Sequence, residues 1–164
     1  MRTGNVRPVR WSEWAAARPD LEPVARGLLY QHGLGLGFLA TVRPDGGPRV
    51  HPICPILAGN LYAFIVPGPK LGDLRRDGRY ALCSETCPPP RHDDNVYLTG
   101  AIEEIIDPGL RERLTAQLLA ERQITEPWPG FEAEPMLELH LDRVLLTLTQ
   151  PTQGLPAGHT VWTA

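Results

Sequence analysis

Apolar positions change period several times along the chain, and each change marks an element. Leu21, Val24 and Leu28 fall on one helical stripe, with Asp20 placed to cap it, Pro23 in the first turn and Gly33 able to end it. Phe38 to Arg43 reads as a strand, Pro44-Asp45-Gly46-Gly47 as a turn, and Pro48 to Leu57 as the returning strand. In that second strand the two-residue period puts Arg49, His51 and Ile53 on one face and Val50, Cys54 and Ile56 on the other. Pro52 and Pro55 cannot donate ladder hydrogen bonds, so the strand must lie at an edge or bulge over part of its length.

Leu61 to Val66 is apolar on both faces, which predicts a buried central strand. Pro67-Gly68-Pro69 stops it, Lys70 to Asp77 suits a short helix with Leu71 and Leu74 inward, and Arg79 to Glu85 resumes a strand. Thr86 to Asp94 is a loop. Asn95 to Ile106 is a long strand in which Gly100 invites a bulge. Asp107-Pro108 starts a helix on Leu110, Leu114 and Leu118 that ends before Pro127. Met136 to Leu141 and Val144 to Thr149 are expected as two strands joined tightly at Asp142-Arg143, followed by a loop-like tail over residues 150–164. Residues 1–18 are an arm with Trp11 and Trp14 and room for a short helix. Six or seven strands around one core make a single domain over residues 1–164, an α+β, mainly antiparallel barrel with a few peripheral helices.

Length, charge and cysteine usage narrow the function. A chain of 164 residues can bury a real core without a disulfide or structural metal. A net charge of −3 argues against a phosphate-backbone binder, so nucleic acid is a poor partner. The arginines at 2, 7 and 10 precede no apolar stretch, and no run approaches a membrane span. Soluble, cytoplasmic residence is the expectation, with no membrane partner. Cys54, Cys83 and Cys87 lack metal-ligand spacing and read as reduced, buried thiols. Gly33, Gly35 and Gly37 precede a strand and do not match a dinucleotide loop, and His92-Asp93-Asp94 reads as a solvated loop. Lys70 is the only lysine among 16 basic residues, so any role for an amine falls on one position.

The stretch from Phe38 to Glu85, FLATVRPDGGPRVHPICPILAGNLYAFIVPGPKLGDLRRDGRYALCSE, resembles the pyridoxamine 5'-phosphate oxidase-like family of split β-barrels, which bind flavin mononucleotide (FMN) at a dimer interface. The likeness rests on the ATVRPDG-PRVHP hairpin, the apolar strand and the K-x-x-x-L-R-R-D-x-R-x-A-L run in that order, and extends through Asn95 to Asp107. It implies a flavin phosphate held by Arg49, His51 and Lys70, the last at a helix amino terminus whose free N–H groups favour an anion. Backbone at Ile53 and from Phe64 through Ile65 to Val66 is implied to line the ring, with Asn95 as the amide near it. Tyr97, Trp128 or Trp162 could stack on the ring, and Pro88-Pro89-Pro90 could shape the substrate entrance.

Departures from the oxidase itself are specific. His51 and Ile56 stand where that enzyme has an arginine and a lysine, Pro69-Lys70 replaces an Arg-Lys pair, and no Arg-x-His pattern closes the chain. Vitamin B6 oxidation is therefore not expected. The resemblance implies a homodimeric flavin-dependent oxidoreductase acting on a small molecule, with no separate catalytic dyad because the flavin supplies the chemistry. The alternatives are a deazaflavin-dependent reductase and a non-catalytic carrier of flavin or haem, His140 or His159 then ligating iron.

Overall fold

The computed structural model describes residues 7–164. Two short helices open it, α1 (Trp11–Ala17) and α2 (Glu22–Leu29), followed by β1 (Gly37–Val42), β2 (Pro48–Ile53), β3 (Ile56–Ala58) and β4 (Asn60–Phe64). Then come α3 (Pro69–Asp77), β5 (Arg79–Ser84), β6 (Asn95–Ile105), α4 (Pro108–Arg122), β7 (Met136–Leu148) and β8 (Gly158–Thr163). The expected arm contains α1, whose Trp11 and Trp14 are buried edge-to-face on each other; its first six residues lie outside the described ones.

All strands join one antiparallel sheet in the order β2-β1-β5-β6-β7-β4-β3, with β8 added to β7. β2 and β3 stand at opposite ends of that order, yet only Cys54 and Pro55 separate them in sequence. The sheet must therefore curl until its ends meet, and Ile53, Leu57 and Leu61 share one core with Leu39, Leu82, Leu98 and Leu139. That is an α+β split barrel. A second core of Ile56, Tyr62, Leu114, Leu118, Phe131 and Met136 seats α4 against β3 and β4.

Several expectations change in the structure. The predicted Pro48–Leu57 strand breaks at Cys54-Pro55, where the missing proline donor ends the ladder, and its first half is an edge strand as the prolines require. The Leu61–Val66 strand is internal but not central: it ends at Phe64, lies one strand from the edge, and leaves Val66 56% exposed. Asp20 does not cap α2; Leu21 occupies the N-cap, and Asp20 binds Arg18 instead. Asp107 does cap α4, accepting from the Leu110 amide at 2.9 Å.

The largest correction concerns Asp142-Arg143, which is not a turn. β7 runs unbroken for 13 residues, and the register against β6 slips there: Thr99 pairs with Arg143 but Gly100 with Leu141. Asp142 is the extra residue of a β-bulge. A polar dipeptide inside an apolar alternation is the same signal for a turn and for a bulge, and the pairing strand decides between them. Gly100 is required at this point, since a Cβ there would lie 1.8 Å from the His140 carbonyl oxygen. The tail is not all loop either, because β8 pairs residues 158–163 with β7.

Candidate functional site

The site expected from sequence centres on α3. Leu71 and Leu74 bury one side of this nine-residue helix, and among the described residues no side chain caps its amino end. Gly68 at the N-cap adopts φ 153° and ψ −164°, a conformation essentially reserved for glycine, and Pro69 fills the first turn. The first-turn amides are thus left to an external acceptor. Lys70 is half-buried beside them, and among the described residues its ammonium has no ion-pair partner. Burial holds its pKa below the ordinary lysine value, with the Glu134 carboxylate opposing the shift.

One turn further along, Asp73 is buried and collects three donors. Its Oδ2 accepts from Arg49 Nε of β2 at 2.7 Å and from Thr41 Oγ1 of β1 at 3.0 Å, and its Oδ1 lies 3.3 Å from Arg76. The Arg49 guanidinium above all holds the Asp73 carboxyl below the usual aspartate range. Residues three apart share a helix face, so Lys70, Asp73 and Arg76 form a line along α3 that docks on β1 and β2. Two guanidiniums face one carboxylate, and Lys70 adds a further positive charge.

The structure brings Arg49 to α3, as the implied phosphate grip needs, but commits its Nε to Asp73. Asp73, Arg76 and Thr41 are members that sequence reasoning missed; the i, i+3 spacing of Lys70, Asp73 and Arg76 was the available signal. His51 is exposed on the same edge strand, two residues from Arg49. Ile53 and Ile65 turn their side chains into the core, leaving only backbone to a ligand. Phe64 stacks edge-to-face on Phe131 under Arg111, while Val66 is exposed just before the α3 end.

Asn95 stands apart. It opens β6 and pairs with Thr147, whereas Phe64 pairs with Met136, which pairs with Ile105 at the other end of β6. Roughly 30 Å of strand separates the two positions within one chain. Its side-chain amide donates to the Asp93 carbonyl. Of the aromatics, Trp128 is held by Glu134 and Phe131, Trp162 packs near Trp14, and Tyr97 lies on the outer sheet face. Pro88-Pro89-Pro90 borders a cavity of about 470 Å3 with Leu28, Gln31 and Cys87. Asp94 departs from the solvated-loop reading: it is fully buried and staples the loop by binding Arg91 and the Thr149 amide and hydroxyl.

The outer sheet face carries an uncovered apolar row. Pro52, Phe38, Cys83, Tyr97, Leu145 and Val161 are successive cross-strand partners over β2, β1, β5, β6, β7 and β8. Phe38 and Val161 are 39% and 47% exposed, and Val50 beside them 58%. Among the described residues no helix is long and apolar enough to cross a membrane.

No family model and no curated protein matches the sequence. Solved structures do match it. An F420 reductase is 21% identical over 72% of this chain and 94% of its own, with a TM-score of 0.59. A FAD-binding protein from Mesorhizobium loti is 24% identical over 66% and 82%, with a TM-score of 0.54. A haem-binding protein from Mycobacterium smegmatis is 18% identical over 85% and 57%, with a TM-score of 0.60. The chain has the pyridoxamine 5'-phosphate oxidase-like split-barrel fold. Identities this low establish the fold alone.

Proposed function

We propose that this split-barrel chain binds a flavin nucleotide, FMN, and uses it as an oxidoreductase on a small molecule in the cytoplasm. The observation that carries the reading is the uncapped α3 amino end with Lys70 beside it, without an ion-pair partner among the described residues: a half-buried ammonium and free amides together fit a phosphate dianion. The Arg49–Asp73–Arg76 cluster fixes α3 to the edge hairpin, so the anion site is held rigid. Structures that share the fold and bind FAD or act with F420 support a flavin-type ring as cargo. Bound flavin supplies hydride transfer, which leaves the protein to bind, orient and exclude water. Backbone from Phe64 to Val66 lies directly before the phosphate site, where a ring attached to that phosphate would extend.

The same reading makes the active form a homodimer with the cofactor at the interface. The apolar row on the outer sheet is the support: it spans six strands, and a second copy of that face would cover it. A role for Asn95 at the ring also requires the dimer, since within one chain Asn95 and Phe64 stand by opposite ends of β6.

Titration of the purified protein with FMN, read by quenching of flavin fluorescence, tests the assignment. Lys70→Ala removes a charge-assisted contact of about 1.5–3 kcal/mol and weakens FMN about 10- to 100-fold. Unchanged affinity in that variant overturns the site. A Soret band in the protein as isolated, or preference for F420 over FMN in the titration, replaces FMN with the corresponding cofactor.

A further inference from the structure

Glu103 of β6 and Glu138 of β7 are direct cross-strand partners, and His140 lies two residues beyond Glu138, so all three side chains share one face. His140 Nε2 is 3.4 Å from a Glu103 oxygen and 3.6 Å from Glu138 Oε2, and one donor atom from each residue fits within 4.8 Å of the others. These contacts are too long for hydrogen bonds. A single imidazole N–H could in any case serve only one of the two carboxylates.

Burial makes the arrangement costly as it stands. The Glu138 side chain is only 4% exposed, and among the described residues neither its buried Oε1 nor the buried His140 Nε2 has a hydrogen-bond partner. Arg10 Nε approaches Oε1 at 3.4 Å, from a side chain 52% exposed, and leaves Oε2 directed at the imidazole. Two carboxylates on opposed positions repel each other. A cation between the three donors would answer both carboxylates and the imidazole at once.

We propose that Glu103, Glu138 and His140 form a binding site for a divalent first-row transition metal, separate from the α3 anion site. Donors around a tetrahedral ion with bonds of roughly 2.1 Å lie about 3.4 Å apart, which the spacing here approaches. One imidazole nitrogen with two carboxylate oxygens suits Zn2+, Co2+ or Mn2+ and offers no thiolate to favour softer ions. A cavity of about 640 Å3, bordered by Arg7, Arg10, Glu103 and His140, opens on the cluster. It provides the entry path and room for water to complete the coordination. The bulge at Gly100 and Asp142 sets the β7 register beside this point, so the donors rest on rigid strands.

Protein purified without a histidine tag and stripped with a chelator is titrated with Co2+, whose visible bands report nitrogen and oxygen coordination, and then with Zn2+ by calorimetry. One equivalent should bind, with Zn2+ displacing Co2+ and Mn2+ binding more weakly than either. Glu103→Gln, at an exposed position that leaves the fold intact, should weaken Co2+ by more than tenfold, since loss of an outer-shell partner alone typically costs about 10- to 100-fold. His140→Gln should abolish the bands, while FMN affinity stays unchanged in both variants. Failure of the folded protein to bind stoichiometrically, or binding that survives both substitutions, overturns the proposal.

Discussion

Two clusters of buried carboxylate in this chain are built in opposite ways. At Asp73 both oxygens meet donors, from Thr41, Arg49 and Arg76, and the group ties a helix to a hairpin. At Glu138 one oxygen and the neighbouring imidazole nitrogen have no hydrogen bond among the described residues, only the half-exposed Arg10 stands near at 3.4 Å, and a second carboxylate crowds them. A buried charge is tolerable only when it is compensated. The first cluster carries its compensation within the chain and so acts as structure. The second leaves a place for compensation from outside.

The contrast yields expectations of decreasing size. Gly100→Ala drives a Cβ into the His140 carbonyl across the bulge and should cost about 3 kcal/mol or more, lowering the thermal midpoint sharply and destroying Co2+ binding. Retention of a near-native melt would show that the bulge can move. Asp73→Asn leaves Arg49 and Arg76 facing each other over a neutral group; circular dichroism should show a lower melting temperature at pH 7, and FMN titration a weaker affinity. Because the Asp73 pKa is held down in the folded chain, its contribution is present above the ordinary value of about 4 and is lost as pH falls through the folded value. The gap between wild type and Asp73→Asn should therefore close in acid. A gap that persists at pH 2 would assign the loss to packing.

Smaller effects follow. Tyr30 accepts from the Leu57 amide at 2.7 Å beside the β2–β3 break, so Tyr30→Phe should cost about 1 kcal/mol in urea unfolding. Burial, before any charge effect, pushes the Tyr30 pKa up to about 12. Its contribution is full below the ordinary value near 10 and falls as pH rises toward 12, so the wild-type advantage should shrink there. Glu103→Gln should move metal-free stability least, within about 0.5 kcal/mol, and toward greater stability because it removes like-charge repulsion. A large destabilisation would mean that Glu103 is already compensated as Asp73 is.

Much of the fold was legible because its signals are local. Pro52 and Pro55 mark the edge and the break of the second strand, Gly100 marks the bulge, and Asp107-Pro108 marks the start of α4. The errors fall where two local readings share one pattern. Asp142-Arg143 reads as a turn until β6 is seen to run alongside, and residues 158–163 read as loop because only β7 makes them a strand. At the candidate site Lys70 and Arg49 were readable by resemblance. For Asp73 only the i, i+3 spacing from Lys70 and Arg76 was readable, and its partners Thr41 and Arg49 on β1 and β2 are set by the fold alone.

The sequence by itself determined the periodicities, the proline and glycine punctuation and the singular lysine, because backbone sterics and side-chain chemistry act within a few residues. Tertiary structure decided which charges meet. Arg49 reaches Asp73 across 24 positions, and Glu103 stands opposite Glu138 only because β6 and β7 pair in one register. Compensation of a buried charge depends on distances through space, and those exist only once the sheet has curled on itself.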